Sequence, residues 1–158
     1  MSEEIHIKTA ELVVSHNDNI LKSGSIGSCI VITLYDTKKR IGGMAHAMLP
    51  HRKNKMKNYE VKPTEAKYVD EAVDNLMKGI KDMGGDITAL EAKIIGGATM
   101  FKKLSGDKFG IGYRNIEKAK KVLQSHKIKI EKEDTGGSNG KMVEFNLANG
   151  VIHISTNI

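Results

Sequence analysis

The residue pattern predicts an α/β (α+β) fold, a single-domain layered β-sandwich with flanking helices. Three observations carry this. Short apolar segments rich in β-branched residues recur along the chain, separated by polar or glycine-rich turns. Only two stretches, one after Pro63 and one after Asn115, repeat apolar residues at helical spacing. No internal repeat, low-complexity segment or linker breaks the pattern, so residues 1–158 are expected to form one domain.

The elements follow in chain order. Residues 4–15 (EIHIKTAELVV with its flanks) read as one or two strands, and His16 to Asn19 as a polar turn. Ile20 to Ser25 is a short extended approach. Ser28 to Tyr35 is a strand with Ile30, Ile32 and Leu34 on one face and Cys29, Val31 and Thr33 on the other. Both faces are largely apolar, as in a strand covered on both sides. Asp36 to Lys39 turns the chain, and Arg40 to Leu49 returns as the second arm of a hairpin that Pro50 ends.

Residues 51–62 form a basic, poorly patterned loop. Pro63 is expected to open a helix that carries Ala66, Val69, Val73, Leu76, Met77, Ile80 and Met83 on one face and stops at Gly84-Gly85. Ala92 to Ile95 is a short strand. It runs into Gly96-Gly97, which fits either a close backbone approach to a site or a plain turn. Residues 102–111 read as a loop. Asn115 is expected to cap a second helix, with Ile116, Ala119, Val122 and Leu123 sharing a face. Ile128 and Ile130 alternate with lysines in a half-exposed strand, and Asp134 to Gly140 is a glycine-rich turn. Asn149-Gly150 joins a last pair of alternating strands.

Composition narrows the function classes. At 158 residues, folding buries about 68–70% of the unfolded surface, enough for a core without a disulfide or metal staple. The single cysteine excludes an internal disulfide and fits a reducing compartment. No apolar run approaches the roughly 18 residues of a membrane span, and residues 1–20 lack a signal-peptide pattern. A cytoplasmic protein without membrane insertion is expected. The net charge of +6 is spread over lysine-rich segments. Three Phe, four Tyr and no Trp supply no basic–aromatic stripe for nucleic-acid binding. A solvated basic surface is the simpler account.

The chemistry concentrates between Ser23 and Pro50. Cys29 follows the small residues Gly24, Ser25, Gly27 and Ser28, and His46 lies on the returning strand. A hairpin would bring thiol and imidazole to one point. A thiol attacks as its thiolate, and a neighbouring imidazolium or electropositive backbone lowers its pKa. Backbone N–H groups at Gly27, Ser28 and Cys29 are candidates to hold an oxyanion. The Ser23 hydroxyl is a candidate to fix the imidazole's tautomer, the third role in a triad. The plainer account is that Cys29 is a small core hydrophobe. The other histidines have no partner in metal-ligand spacing, so neither a metal nor an organic cofactor is expected.

These residues also carry a likeness. The segment from Gly24 to Pro50, GSIGSCIVITLYDTKKRIGGMAHAMLP, resembles the signature of the CheD family of chemoreceptor glutamine deamidases. KYVDEAVDNL (67–76), GGATMF (96–101), IGYRN (111–115) and DTGGSNGK (134–141) resemble further family segments in order. The resemblance implies an α/β sandwich similar to a toxin-type glutamine deamidase. It implies hydrolysis of glutamine side chains on methyl-accepting chemotaxis proteins, through a cysteine thioester. By position it assigns the nucleophile to Cys29 and the histidine to His46. The family's threonine falls on Ser23, which keeps the hydroxyl and loses a methyl. Lys141 stands where arginine is usual, and cannot make a bidentate contact. The resemblance also implies a second partner, the phosphatase CheC. A non-catalytic adaptor that binds receptor or CheC is the alternative it leaves.

Overall fold

The computed structural model describes residues 2–54, 59–99 and 110–156. Among these residues the elements are β1 (Glu4–Ile7), β2 (Leu12–Ser15), β3 (Ile20–Ile26), β4 (Ile30–Asp36), β5 (Ile41–Ala47), α1 (Val69–Asp82), β6 (Leu90–Gly96), α2 (Ile111–Ser125), β7 (Lys129–Thr135), β8 (Lys141–Asn146) and β9 (Ile152–Thr156). They form two sheets, ordered β1-β3-β8-β9 and β2-β5-β4-β6-β7. The layered sandwich is as expected.

The predicted β4–β5 hairpin forms, with Ile30 opposite Ala47 and Val31 opposite His46. β4 is central, flanked by β5 and β6, and all of its residues are buried. Its alternation therefore serves two cores. Ile30, Ile32 and Leu34 pack with Ala45 and Ala47 against the helices. Val31 and Tyr35 turn with Met44 and Ile95 toward the four-stranded sheet, where Leu21, Val143 and Phe145 meet them. Tyr35 and Phe145 pack edge to face at 5.6 Å between centroids, and the Tyr35 hydroxyl donates to the Leu147 carbonyl at 2.7 Å. A buried phenol thus keeps its hydrogen bond.

α1 covers the outer face of the five-stranded sheet with Val69, Ala72, Val73, Leu76 and Ile80. Each large aliphatic side chain among them contributes roughly 1.5–3 kcal/mol by leaving water. α2 lies beside it and buries Ile116, Ala119 and Leu123 in the same core.

Three sequence expectations are corrected. α1 starts at Val69, not at Pro63. The intervening residues are pulled into backbone pairing: Leu12 N–H donates to the Thr64 carbonyl, Ala66 N–H to Ala10, and Val69 N–H to Leu49. α2 starts at Ile111 behind Gly110, so Asn115 lies inside the helix and is not its cap. β7 runs on through Asp134 and Thr135 because both pair with β6, and the turn begins only at Gly136. Of the loop expected at 102–111, residues 102–109 lie outside the described residues, as do Met100, Phe101 and residues 55–58, and Ile111 already belongs to α2.

Candidate active site

Ser23, Cys29 and His46 come from three places around the gap between the sheets. Ser23 lies on β3 of the four-stranded sheet, opposite Val143 of β8. His46 lies on β5 of the five-stranded sheet. Cys29 sits in the link that carries the chain from β3 across to β4.

The alternation of β5 decides where His46 points. Ala45 and Ala47 face the helices, so His46, like Met44, faces the other sheet. There its Nδ1 lies 3.0 Å from Ser23 Oγ. Both side chains are 3% exposed. The His46 backbone is fixed on its other side, its N–H donating to Glu11 and its carbonyl accepting from Ala10. Nε2 is buried and has no hydrogen-bond partner among the described residues.

Cys29 is half-buried and packs against the inter-sheet core that holds Val31 and Met44. Extending the β4–β5 register by one residue sets it across from Met48. The observed register stops at Ile30, and Cys29 itself lies in a bend; a continued register would make Cys29 and His46 diagonal neighbours on one face. The free thiol is raised above its ordinary range by burial, partly offset by the Cys29 backbone N–H at its own sulfur. Burial lowers the His46 imidazole. Both shifts favour the uncharged forms, a thiol and a neutral imidazole. Burial here acts opposite to the thiol lowering expected from an imidazolium neighbour.

The link before Cys29 is clamped from one side. Ala98 N–H donates to the Gly27 carbonyl at 3.0 Å, and Gly97 N–H to the Cys29 carbonyl at 2.8 Å. Asn115 Nδ2 donates to the Ser28 carbonyl at 3.1 Å and to the Met48 carbonyl at 2.9 Å. Gly96-Gly97 is thus a close backbone approach and not a plain turn. Gly96 has φ +105°, and a Cβ there would lie 2.6 Å from the Cys29 carbonyl oxygen. The Asp134–Lys141 loop braces this turn in its own right. Gly136 N–H donates to the Gly96 carbonyl, and Thr99 N–H to Gly137. The Lys141 ammonium reaches both the carbonyl and the carboxylate of Asp134. One lysine therefore closes the loop without a bidentate fork.

Sequence reasoning did not assign Asn115 to the site. The signal was available: Gly112, Asn115, Ile116, Ala119 and Leu123 form one buried stripe of α2, so the helical spacing runs back past the supposed cap.

A family model described as CheD chemotactic sensory transduction matches residues 48–156. The chain belongs to the CheD family. Curated CheD relatives align with nearly all of it. A probable chemoreceptor glutamine deamidase CheD of Pyrococcus abyssi is 35% identical, over 98% of this chain and 92% of its own. The chemoreceptor glutamine deamidase CheD of Halalkalibacterium halodurans is 39% identical, over 92% and 89%. That of Thermotoga maritima is 39% identical, over 91% and 86%. The CheD family model begins just after His46, while the alignment with the Pyrococcus relative leaves room for almost no unmatched residue.

Elsewhere on this CheD chain, a groove of about 610 Å³ opens beside the end of β5, lined by Leu49, His51, Tyr68, Ile111 and Arg114 among others. Arg52 at its edge is already engaged. It makes two hydrogen bonds to the Glu71 carboxylate and stacks on Tyr59 and Tyr68. Among the described residues no helix is long and apolar enough to cross a membrane.

Proposed function

We propose that this chain hydrolyses glutamine side chains of methyl-accepting chemotaxis receptors to glutamate and ammonia in the cytoplasm, with Cys29 as nucleophile. The observation that carries this reading is the Ser23 Oγ–His46 Nδ1 contact, which leaves Nε2 unpartnered among the described residues, between the sheets whose core Cys29 packs against. The names of the curated relatives supply the substrate class.

In this mechanism the proton sits on Nδ1 and is donated to Ser23, leaving the Nε2 lone pair as base. As Cys29 Sγ bonds to the glutamine carbonyl carbon, its proton passes to Nε2. The carbonyl oxygen becomes an oxyanion held by N–H groups of the Gly27–Cys29 link. The amide nitrogen then takes the Nε2 proton and leaves as ammonia, and a thioester remains. Water adds to that carbonyl as Nε2 takes its proton. The C–S bond breaks, the sulfur regains a proton, and glutamate is released. No step calls for a metal or organic cofactor.

The described part of the basic segment from His51 and the groove beside it are the docking face in this reading. A CheC-type phosphatase competing for that face would regulate the reaction. The test incubates the chain with receptor and follows glutamine-containing peptides by mass spectrometry. Amide-to-acid conversion that disappears with Cys29→Ala supports the reading. Receptor binding without conversion would leave an adaptor.

A further inference from the structure

Asn115 has an unusual place for a polar side chain. It is fully buried inside α2, yet its two donors are spent on two strand-end carbonyls from different parts of the chain. One, Ser28, immediately precedes Cys29, and the other, Met48, lies two residues past His46. Its own Oδ1 is buried with no partner among the described residues. A site that uses the donors and leaves the acceptor idle calls for the NH2 group specifically.

The consequence lies in the peptide planes. In a planar trans peptide, the carbonyl of one residue and the N–H of the next point to opposite sides. Ala98 holds the Gly27 carbonyl, Asn115 the Ser28 carbonyl and Gly97 the Cys29 carbonyl. The N–H groups of Ser28 and Cys29 are thereby turned away from α2 and the glycine turn. Beside the larger effect of burial, which raises the thiol, the Cys29 N–H acts to lower it.

We propose that Asn115 is a positioning residue: by holding the Ser28 carbonyl it sets the Ser28–Cys29 peptide plane so that the Cys29 N–H faces the sulfur and the oxyanion. Through Met48 it also ties that plane to the strand that carries His46. The oxyanion part of this assignment rests on the deamidase reading, while the orientation at the sulfur does not.

The test uses Asn115→Leu, which keeps the size, removes the donors and adds no charge beside the thiol. The rate of Cys29 alkylation by iodoacetamide is followed against pH, with no receptor present. The thiol profile is expected to shift to higher pH, with alkylation at neutral pH slowed about tenfold. Conversion of receptor glutamine should fall about 10–100-fold in kcat with KM little changed, as for a weakened oxyanion donor. An unchanged thiol profile in a folded variant overturns the assignment. Wild-type protein that alkylates but never converts receptor glutamine would sink the deamidase reading and leave the thiol profile to decide on Asn115. Should the variant not fold, wild-type protein labelled with ¹⁵N-cysteine gives one amide signal, from Cys29. That signal is expected to move as the thiol ionises, and one indifferent to it removes the Cys29 N–H from the sulfur and ends the proposal.

Discussion

Ser23 Oγ and His46 Nδ1, 3.0 Å apart, are a hydrogen bond between the two sheets of the sandwich. Neither strand alone could hold this geometry. The imidazole is aimed by β5, and its Nδ1 is held from the opposite sheet.

Ser23→Ala removes that hold and leaves Nδ1 buried without a partner. Such a loss costs about 1–3 kcal/mol, so conversion of receptor glutamine is expected to fall roughly 5–150-fold in kcat. Ser23→Thr restores the hydroxyl, and is expected to retain activity. A Ser23→Ala enzyme with unchanged kcat would remove the hydroxyl from the mechanism.

His46→Ala is expected to abolish conversion as completely as Cys29→Ala. Amide nitrogen leaves poorly without a proton, and general acid–base catalysis supplies roughly 10²–10⁴-fold at each such step. Peptide mass spectrometry of receptor incubated with each variant, alongside circular dichroism to confirm folding, checks this.

The pH dependence follows from burial. His46 is held below the ordinary imidazole range, so the acid limb of kcat/KM is expected below about pH 6.5. Cys29 is raised, so alkylation of the free enzyme should climb only above the ordinary thiol value of about 8.5. A thiol limb well under neutrality would mean a resting thiolate–imidazolium pair instead.

The same shift on His46 has a sign for stability. A depressed folded pKa contributes stability that is present above the unfolded value and is lost as pH falls through the folded one. Wild type should therefore lose more Tm between pH 7 and pH 5 than His46→Gln does. Equal losses in thermal melts at the two pH values would contradict a buried neutral imidazole.

Gly96→Ala tests the clamp. It forces a side chain to φ +105° and sets a Cβ 2.6 Å from the Cys29 carbonyl oxygen. Strain of this kind costs about 1–3 kcal/mol before the clash is counted, and activity should fall with it. Gly84→Ala is the control. Its φ is +97°, but no atom lies within 4 Å, so only the backbone cost of about 1–3 kcal/mol applies and activity per folded molecule should hold. Urea denaturation and deamidation assays separate the two.

Much of this was legible in the residues. Alternation through Ile30, Ile32 and Leu34 against Cys29, Val31 and Thr33 assigned the two faces of β4, because side chains on a strand alternate strictly. The short turn after Asp36 fixed the hairpin, and with it the side of the sheet that His46 faces. The proposed pairing of Cys29 with His46 needs only those local rules carried one residue beyond β4. Helix starts were harder to read. The segment from Pro63 to Lys67 has helical spacing, yet its backbone bonds with residues 10, 12, 48 and 49, and local propensity cannot see such partners.

The periodicity of the chain thus determined its strands, its hairpin and the face on which the imidazole stands. The fold alone decided that Ser23 would meet His46, since the two belong to different sheets and only the packing of one sheet on the other closes that distance. It also decided the task of Asn115, whose carboxamide binds carbonyls 87 and 67 positions away. Contacts so distant in sequence leave no periodic trace, because each is set by how whole layers dock.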